Sequence, residues 1–276
     1  MDRLLMNRVL VVIVNYYTEQ DVYDQVMPFR DTGIHFMIVD NGSRRKATLT
    51  ALHTLSNASV ACAPGNLGYL NGAFFGIKVA VSTGIQPDWV LISNPDIAFT
   101  GEFFEKLSRI DGSRFAMVAP RLVSGRTGKD QNPYMLDRPD RKTLERLVQI
   151  HRWPFLANLY RLGREIAHEL RIPLPKPDVE PGGSIYAPHG ACMVLAYAFL
   201  KRFHTLRYPA FLFCEELFLA EQARRFNRAV VYRPDLEVFH KEHRTTSIFR
   251  SRELVEYHRE ALVYYLKTYA RDWPQE

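Results

Sequence analysis

Residues 8–14, RVLVVIV, form an almost unbroken run of mostly β-branched apolar side chains that ends at Asn15 and two tyrosines. A strand with one wet face alternates apolar and polar positions, so this run predicts a strand covered on both faces. The same arrangement recurs through the first half of the chain. Polar-rich residues 18–30 suit a helix, 35–39 (HFMIV) a second buried strand, and 40–43 (DNGS) a turn at its carboxyl end. A helical stretch follows over 45–56, then a short strand at 59–63, a helix over 72–82 and a strand at 89–93. Strands separated by helices of this length predict a mostly parallel sheet with helices on both faces. Ligands on such sheets bind beyond the carboxyl ends of strands. Asn15, Asp40 and the triplet Asn94-Pro95-Asp96 each directly follow a predicted strand.

From about residue 124 to 185 the pattern becomes irregular around a basic helical stretch, 141–171, which reads as an insertion or subdomain and not as a separate domain. Regular alternation returns with a strand at 189–195, a helix at 211–226 and a strand at 229–232. Residues 253–269, with three tyrosines at helical spacing, read as a packing or dimer-contact helix.

Composition narrows the class. With 276 residues, 47% hydrophobic and 24% charged, the chain is an ordinary globular one with a sizeable core. The apolar run 9–14 is far short of the roughly 20 residues of a membrane helix, and no small-residue cleavage site follows, so neither spanning nor export is expected. Cys62, Cys192 and Cys214 form an odd set without a C-x-x-C pair, which points to a reducing compartment and to buried thiols. A net charge of +6 suits nucleic acid, an anionic lipid surface or phosphorylated substrates. Basic residues interspersed with acids along the chain argue against a nucleic-acid face.

Four constellations could carry chemistry, and each has a plain structural reading beside it. Asp40 could accept hydrogen bonds from a nucleotide or simply close an Asx-turn. Asp96 could hold Mg²⁺ or Mn²⁺ on a diphosphate, which needs only one or two protein carboxylates, or it could cap a turn. Glu215 and Glu216, where an aromatic loop enters a helix, could include a carboxylate of raised pKa acting as general base, or could be helix N-terminal acids. His240 could ligate a metal through a neutral imidazole or lie on the surface, and the spacing to His243 lacks the further ligands of a structural zinc site. Gly65-Asn66-Leu67-Gly68 is neither a dinucleotide fingerprint nor a P-loop, and no G-x-S-x-G is present. The stretch 141–171 mixes arginines with Trp153, Phe155, Leu156, Leu159 and Tyr160, as would a helix resting on an anionic membrane or one packed on the domain.

In order, these pieces are V-x-x-x-N-Y, VDNGS, GNLGY, NPD, GACM, F-x-x-x-EE-x-x-L-x-x-x-ARR and V-x-H. The series, from about residue 9 to 247, resembles glycosyltransferase family 2, particularly its bacterial rhamnosyltransferase-like and galactofuranosyltransferase-like members. The resemblance implies an α/β fold of the GT-A nucleotide-diphospho-sugar transferase type, a mostly parallel mixed sheet with helices on both faces. It implies one catalytic domain over 1–250, with a nucleotide-sugar half to about 123, an acceptor half containing the 141–171 insertion, and a helical extension over 251–276. It makes Asn15, Asp40, Asn66 and Asn94 donor-pocket residues, Asp96 and His240 ligands of Mg²⁺ or Mn²⁺, and Glu216 the catalytic base with Glu215 beside it. The implied reaction is inverting transfer of a sugar, with dTDP-rhamnose the suggested donor and a UDP-sugar the other, to a glycan or lipid-linked glycan of a bacterial surface polysaccharide such as O-antigen or capsule. The enzyme would be cytoplasmic, with contact to the inner face of the membrane and a homodimer among its options. Asn94 stands for the first acid of the family's D-x-D, and Gln222 for a frequent arginine. Those changes motivate the rival expectation, an inactive glycan- or nucleotide-binding scaffold.

Overall fold

The computed structural model describes residues 8–43, 49, 51–169, 179–242 and 250–269, with the side chains of 51 and 164–169 excepted. His243 and residues 245–247 lie outside them. Nine strands form one sheet: β1 (Val9–Asn15), β2 (His35–Asp40), β3 (Ala58–Cys62), β4 (Trp89–Ser93), β5 (Ile97–Ala98), β6 (Phe115–Ser124), β7 (Ser184–Ile185), β8 (Cys192–Ala196) and β9 (Ala229–His240). Eight helices are named among the described residues: α1 (Glu19–Val26), α2 (Tyr69–Ser82), α3 (Gly101–Ser108), α4 (Arg141–Ile150), α5 (Pro154–Glu169), α6 (Tyr197–Leu200), α7 (Glu215–Arg225) and α8 (Arg252–Tyr269).

The strand order is β3-β2-β1-β4-β8-β6-β9-β5, with β7 added to β9. β3, β2, β1 and β4 run parallel, β8 is antiparallel to both its neighbours, and β6 and β9 are parallel to each other. All seven residues of β1 are buried, as its apolar run predicts for a central strand. β3 lies at the end of the order and its burial alternates, so Cys62 is exposed while Cys192 and Cys214 are buried. The expectation of three buried thiols is corrected there.

Several boundaries differ from the sequence pattern for local reasons. α1 stops at Val26 and a 3₁₀ turn, Met27–Phe29, takes over where Pro28 has no N–H to continue the ladder. Of the helix expected over 45–56, the described part is a 3₁₀ turn at Ala51–Thr54. The basic stretch is two helices, α4 and α5, broken after His151. β6, which the pattern did not reveal, contains Pro120 and Arg121 and shifts register there. β9 continues past Tyr232 to His240 because its pairing with β6 steps from Arg233 to Glu237, leaving Pro234–Leu236 bulged out.

The main core fills the space between sheet and helices. A second core joins α4, α7 and α8 through Leu144, Leu217, Ala220, Leu262, Tyr265 and Tyr269. At its centre Glu221, 2% exposed, receives a two-pronged bond from Arg138 (2.7 and 3.0 Å) and the hydroxyls of Tyr186 (2.7 Å) and Tyr265 (2.8 Å). Gln222 donates to the Tyr269 hydroxyl (2.9 Å), so α8 is bonded into the domain.

Candidate active site

The turns after β1, β2 and β3 meet at one edge of the sheet and are laced together by side-chain amides. Asn15 is fully buried; its Oδ1 accepts from the Thr18 N–H and hydroxyl (both 3.1 Å) at the entry to α1, while Nδ2 donates to Glu19 (3.4 Å) and Ser43 (3.3 Å). Asp40 Oδ1 accepts the Ser43 N–H at 2.9 Å, which is the Asx-turn. Asn41, not singled out from the sequence, accepts from the Leu67 N–H (2.9 Å) and donates to Asn66 Oδ1 (3.1 Å) and the Gly68 carbonyl (3.0 Å). Asn66 itself is exposed. Gly68 has φ +79°, and a Cβ there would run into the Phe211 carbonyl oxygen. The glycine therefore lets the loop ahead of α7 approach the turns after β2 and β3.

A second set of groups comes from opposite ends of the chain. Asn94 is anchored by its backbone, donating to the Ala191 carbonyl (2.8 Å) and accepting from the Ile97 N–H (3.3 Å). β5 pairs with the end of β9 so that Ile97 lies opposite His240, and Asp96 Oδ2 stands 3.3 Å from His240 Nε2. His240 Nδ1 lies 2.8 Å from Gln131 Oε1, whose amide nitrogen donates to Glu242 (3.0 Å), so Nδ1 carries a proton toward Gln131 and Nε2 is the ring nitrogen turned to Asp96. The His189 ring is 5.9 Å from that of His240 and 5.2 Å from that of Tyr134.

The acids of α7 enter through a left-handed turn. Phe213 (φ +71°) and Cys214 (φ +58°) cannot continue a helix backwards, so α7 begins at Glu215, four residues later than the pattern predicts. Glu215 is buried and accepts the Phe213 N–H at 3.0 Å. Burial, and after it the charge of Glu216, pushes its carboxyl up to about 8. Burial also raises Glu216, which is half-buried and faces Gly190; a Cβ on that glycine would lie 3.3 Å from Glu216 Oε2. Tyr69 binds the Gly190 carbonyl at 3.4 Å. Its phenol is pushed up first by burial and then by Cys192, Glu215, Asp96 and Glu216, so the acids of α7 and Asp96 share one neighbourhood around it.

Of the residues expected from the sequence, Asp96 is thus brought to His240, and Glu215 and Glu216 to the same neighbourhood; Asn15, Asp40 and Asn66 form the adjoining turns. Asn41, Tyr69, Gln131, His189 and Gly190 were missed as site residues. Tyr69 and Gly190 lie within the motifs GNLGY and GACM, whereas nothing in the sequence signals Gln131. Among the described residues no three His, Cys, Asp or Glu side chains converge as a metal cage.

This sheet order, with antiparallel β8 set between parallel neighbours and its turns gathered at one edge, is the GT-A fold of nucleotide-sugar transferases. Solved structures align over most of the chain. Glucosyl-3-phosphoglycerate synthase from Mycobacterium tuberculosis, in complex with Mn²⁺, UDP and phosphoglyceric acid, superposes with a TM-score of 0.53 at 15% identity, covering 97% of this chain and 79% of that one. GalNAc-T7 with UDP, GalNAc and Mn²⁺ gives 0.53 at 12% identity, over 86% of this chain and 43% of that one. No family model matches the sequence. The low-salt glycan biosynthesis hexosyltransferase Agl10 of Haloferax volcanii is 25% identical over 229 residues, 81% of this chain. The chain spans 64% of that relative's length.

Proposed function

We propose that the protein is a glycosyltransferase that moves a sugar from a nucleotide diphosphate to a hydroxyl of a glycan or lipid-linked glycan. The observation that carries this reading is the gathering of Asp96, His240, Glu215 and Glu216 at one edge of a GT-A sheet. It is supported by the hexosyltransferase relative and by neighbours solved with UDP and Mn²⁺.

The donor-side turns, with Asn15, Asp40, Asn66 and Asn94, shape the nucleotide pocket. Asp96 and His240 offer one carboxylate and one neutral imidazole nitrogen, 3.3 Å apart. That pair fits a divalent cation whose remaining ligands are diphosphate oxygens and water. Mg²⁺ or Mn²⁺ bound there would neutralise the departing diphosphate. Gln131 fixes the imidazole tautomer. Glu215, held up to about 8 by burial and by Glu216, retains its proton near neutral pH. Glu216 takes the acceptor's proton, and the freed oxygen attacks the anomeric carbon from the face opposite the diphosphate, giving inversion.

dTDP-rhamnose remains the donor proposed from the family resemblance, and bacterial surface polysaccharide its product. Trp153, Phe155, Leu156 and Leu159 are exposed at 44–75% around the start of α5, which supports contact with a membrane carrying the acceptor. No described helix is long and apolar enough to cross one.

Calorimetric titration with UDP, dTDP and GDP, with and without Mn²⁺, tests the reading. A metal-enhanced preference for one diphosphate is expected, and Asp96→Ala should abolish the enhancement. Failure of all three to bind would replace the transferase with the glycan-binding scaffold.

A further inference from the structure

Behind the turn that delivers Glu215 lies a group of cations without a counter-ion among the described residues. The Arg250 guanidinium stacks on Phe213, 4.2 Å from the ring centroid, and its Nη1 is 3.3 Å from His258 Nδ1. The His258 ring lies 4.9 Å from Phe213 and 4.3 Å from His151. Asn158 of α5 bonds the Arg250 backbone in both directions, donating to its carbonyl (3.1 Å) and accepting its N–H (2.8 Å). Arg161, one helical turn along from Asn158, is thereby brought to Arg250. Its Nη1 is buried with no hydrogen-bond partner.

The charges that act on Arg250 are those of Arg161, Tyr134 and Cys214, and those that act on His258 belong to His151, Arg250 and Arg161. No described carboxylate is among them. Burial first, and then this mutual repulsion, draws Arg250 down to about 10 and His258 to about 3. Arg138, in the second core, shows the contrast: it is given both oxygens of Glu221. A buried cation left unpaired is expensive, and a fold that supplies Arg138 with its acid leaves Arg161 and Arg250 facing each other.

We propose that Arg161 and Arg250, with His258 beside them, form an oxyanion pocket that receives the phosphate of the sugar acceptor behind the Phe213–Cys214 turn that leads into α7. The inference rests on the transferase reading for the word acceptor, while the anion site itself stands on the cluster. Guanidinium groups suit phosphate because their fixed forks match its oxygens. Lipid phosphates and soluble sugar phosphates share this chemistry. The exposed apolar residues on α5, the helix that carries Arg161, would accommodate a lipid tail.

Thermal unfolding in EDTA, without nucleotide, tests the pocket by comparing pyrophosphate with chloride at matched ionic strength. Pyrophosphate is expected to raise the wild-type Tm, and Arg161→Gln and Arg250→Gln to weaken its binding about tenfold or more. Both substitutions spare the backbone bonds to Asn158. Arg161→Gln should melt no lower than wild type in chloride, since it removes a buried guanidinium nitrogen that has no hydrogen-bond partner. UDP affinity in Mn²⁺ should be unchanged in both variants. A pyrophosphate shift absent from wild type, or undiminished in the variants, overturns the proposal. Parallel loss of UDP affinity would move the cations to the donor and overturn the acceptor assignment while leaving the transferase standing. Should wild type bind no nucleotide yet keep an Arg161-dependent shift, the transferase reading falls and the anion pocket remains. Titration with a polyisoprenyl phosphate in detergent and with a soluble sugar phosphate separates the sources: tighter binding of the first supports a lipid-linked acceptor, equal binding a soluble one.

Discussion

At neutral pH, Glu215 keeps its proton because burial and the adjacent Glu216 hold its carboxyl up to about 8. In the unfolded chain it ionises near 4.5. Below that value both states are protonated; between there and about 8 only the folded state is, so folding takes up a proton and stability falls as pH rises. Glu215→Gln should therefore flatten the decline in urea midpoint between pH 5 and 8.5 and raise stability at the alkaline end; an unchanged slope would place the titration elsewhere. Glu216→Gln is expected to lower kcat by about 10²–10⁴ while leaving UDP affinity in place, measured by sugar transfer and calorimetry on the same preparation. The adjacent acids were visible in the sequence, and the resemblance made Glu216 the base with Glu215 beside it, but the entry geometry that buries Glu215 was not legible. It depends on the left-handed Phe213 and Cys214, which no pattern of apolar positions encodes. Gln131, which sets the imidazole tautomer of His240, is remote in sequence and of a residue type that carries no signal by itself.

Elements were legible where packing was two-sided and illegible where it was compromised. β1, β2 and β4 read directly from their apolar runs, whereas β6 and β9 contain Pro120 and Pro234 and pair only by skipping residues. α2 is a case of close packing on the sheet: a Cβ on Gly76 would lie 2.5 Å from the Val39 side chain and 3.0 Å from that of Val12. Gly76→Ala is accordingly expected to cost about 1–3 kcal/mol, read from chemical denaturation. The Arg138–Glu221 pair joins α7 to α8 through Tyr186, Tyr265 and Tyr269. Arg138→Met would strand a buried carboxylate among hydroxyls, a loss of about 3–5 kcal/mol by the same measurement. Unaltered stability would mean that the two tyrosine hydroxyls satisfy the Glu221 carboxylate without Arg138.

For the whole molecule, the alternation of strands and helices predicted a mostly parallel sheet, and the GT-A architecture was what the resemblance carried by the ordered motifs implied. The integration of the C-terminal helix did not. Its tyrosines at helical spacing announced packing, and the structure puts Tyr265 and Tyr269 at the heart of a second core. Removing residues 251–276 should uncover Tyr186 and Leu217 and replace one cooperative unfolding transition by a broad one, detectable by calorimetry and dye binding.

The seat of Asp96 has a consequence for how the protein comes to life. Its imidazole neighbour is supplied by the last residue of β9, across a pairing of only two residues. A growing chain emerges from the ribosome with β3, β2, β1 and β4 already available to associate, long before that final strand exists. The pair of Asp96 and His240 is therefore incomplete for most of the chain's synthesis. A prematurely released fragment would hold the turns after β1, β2 and β3 with Asp96 still lacking its imidazole.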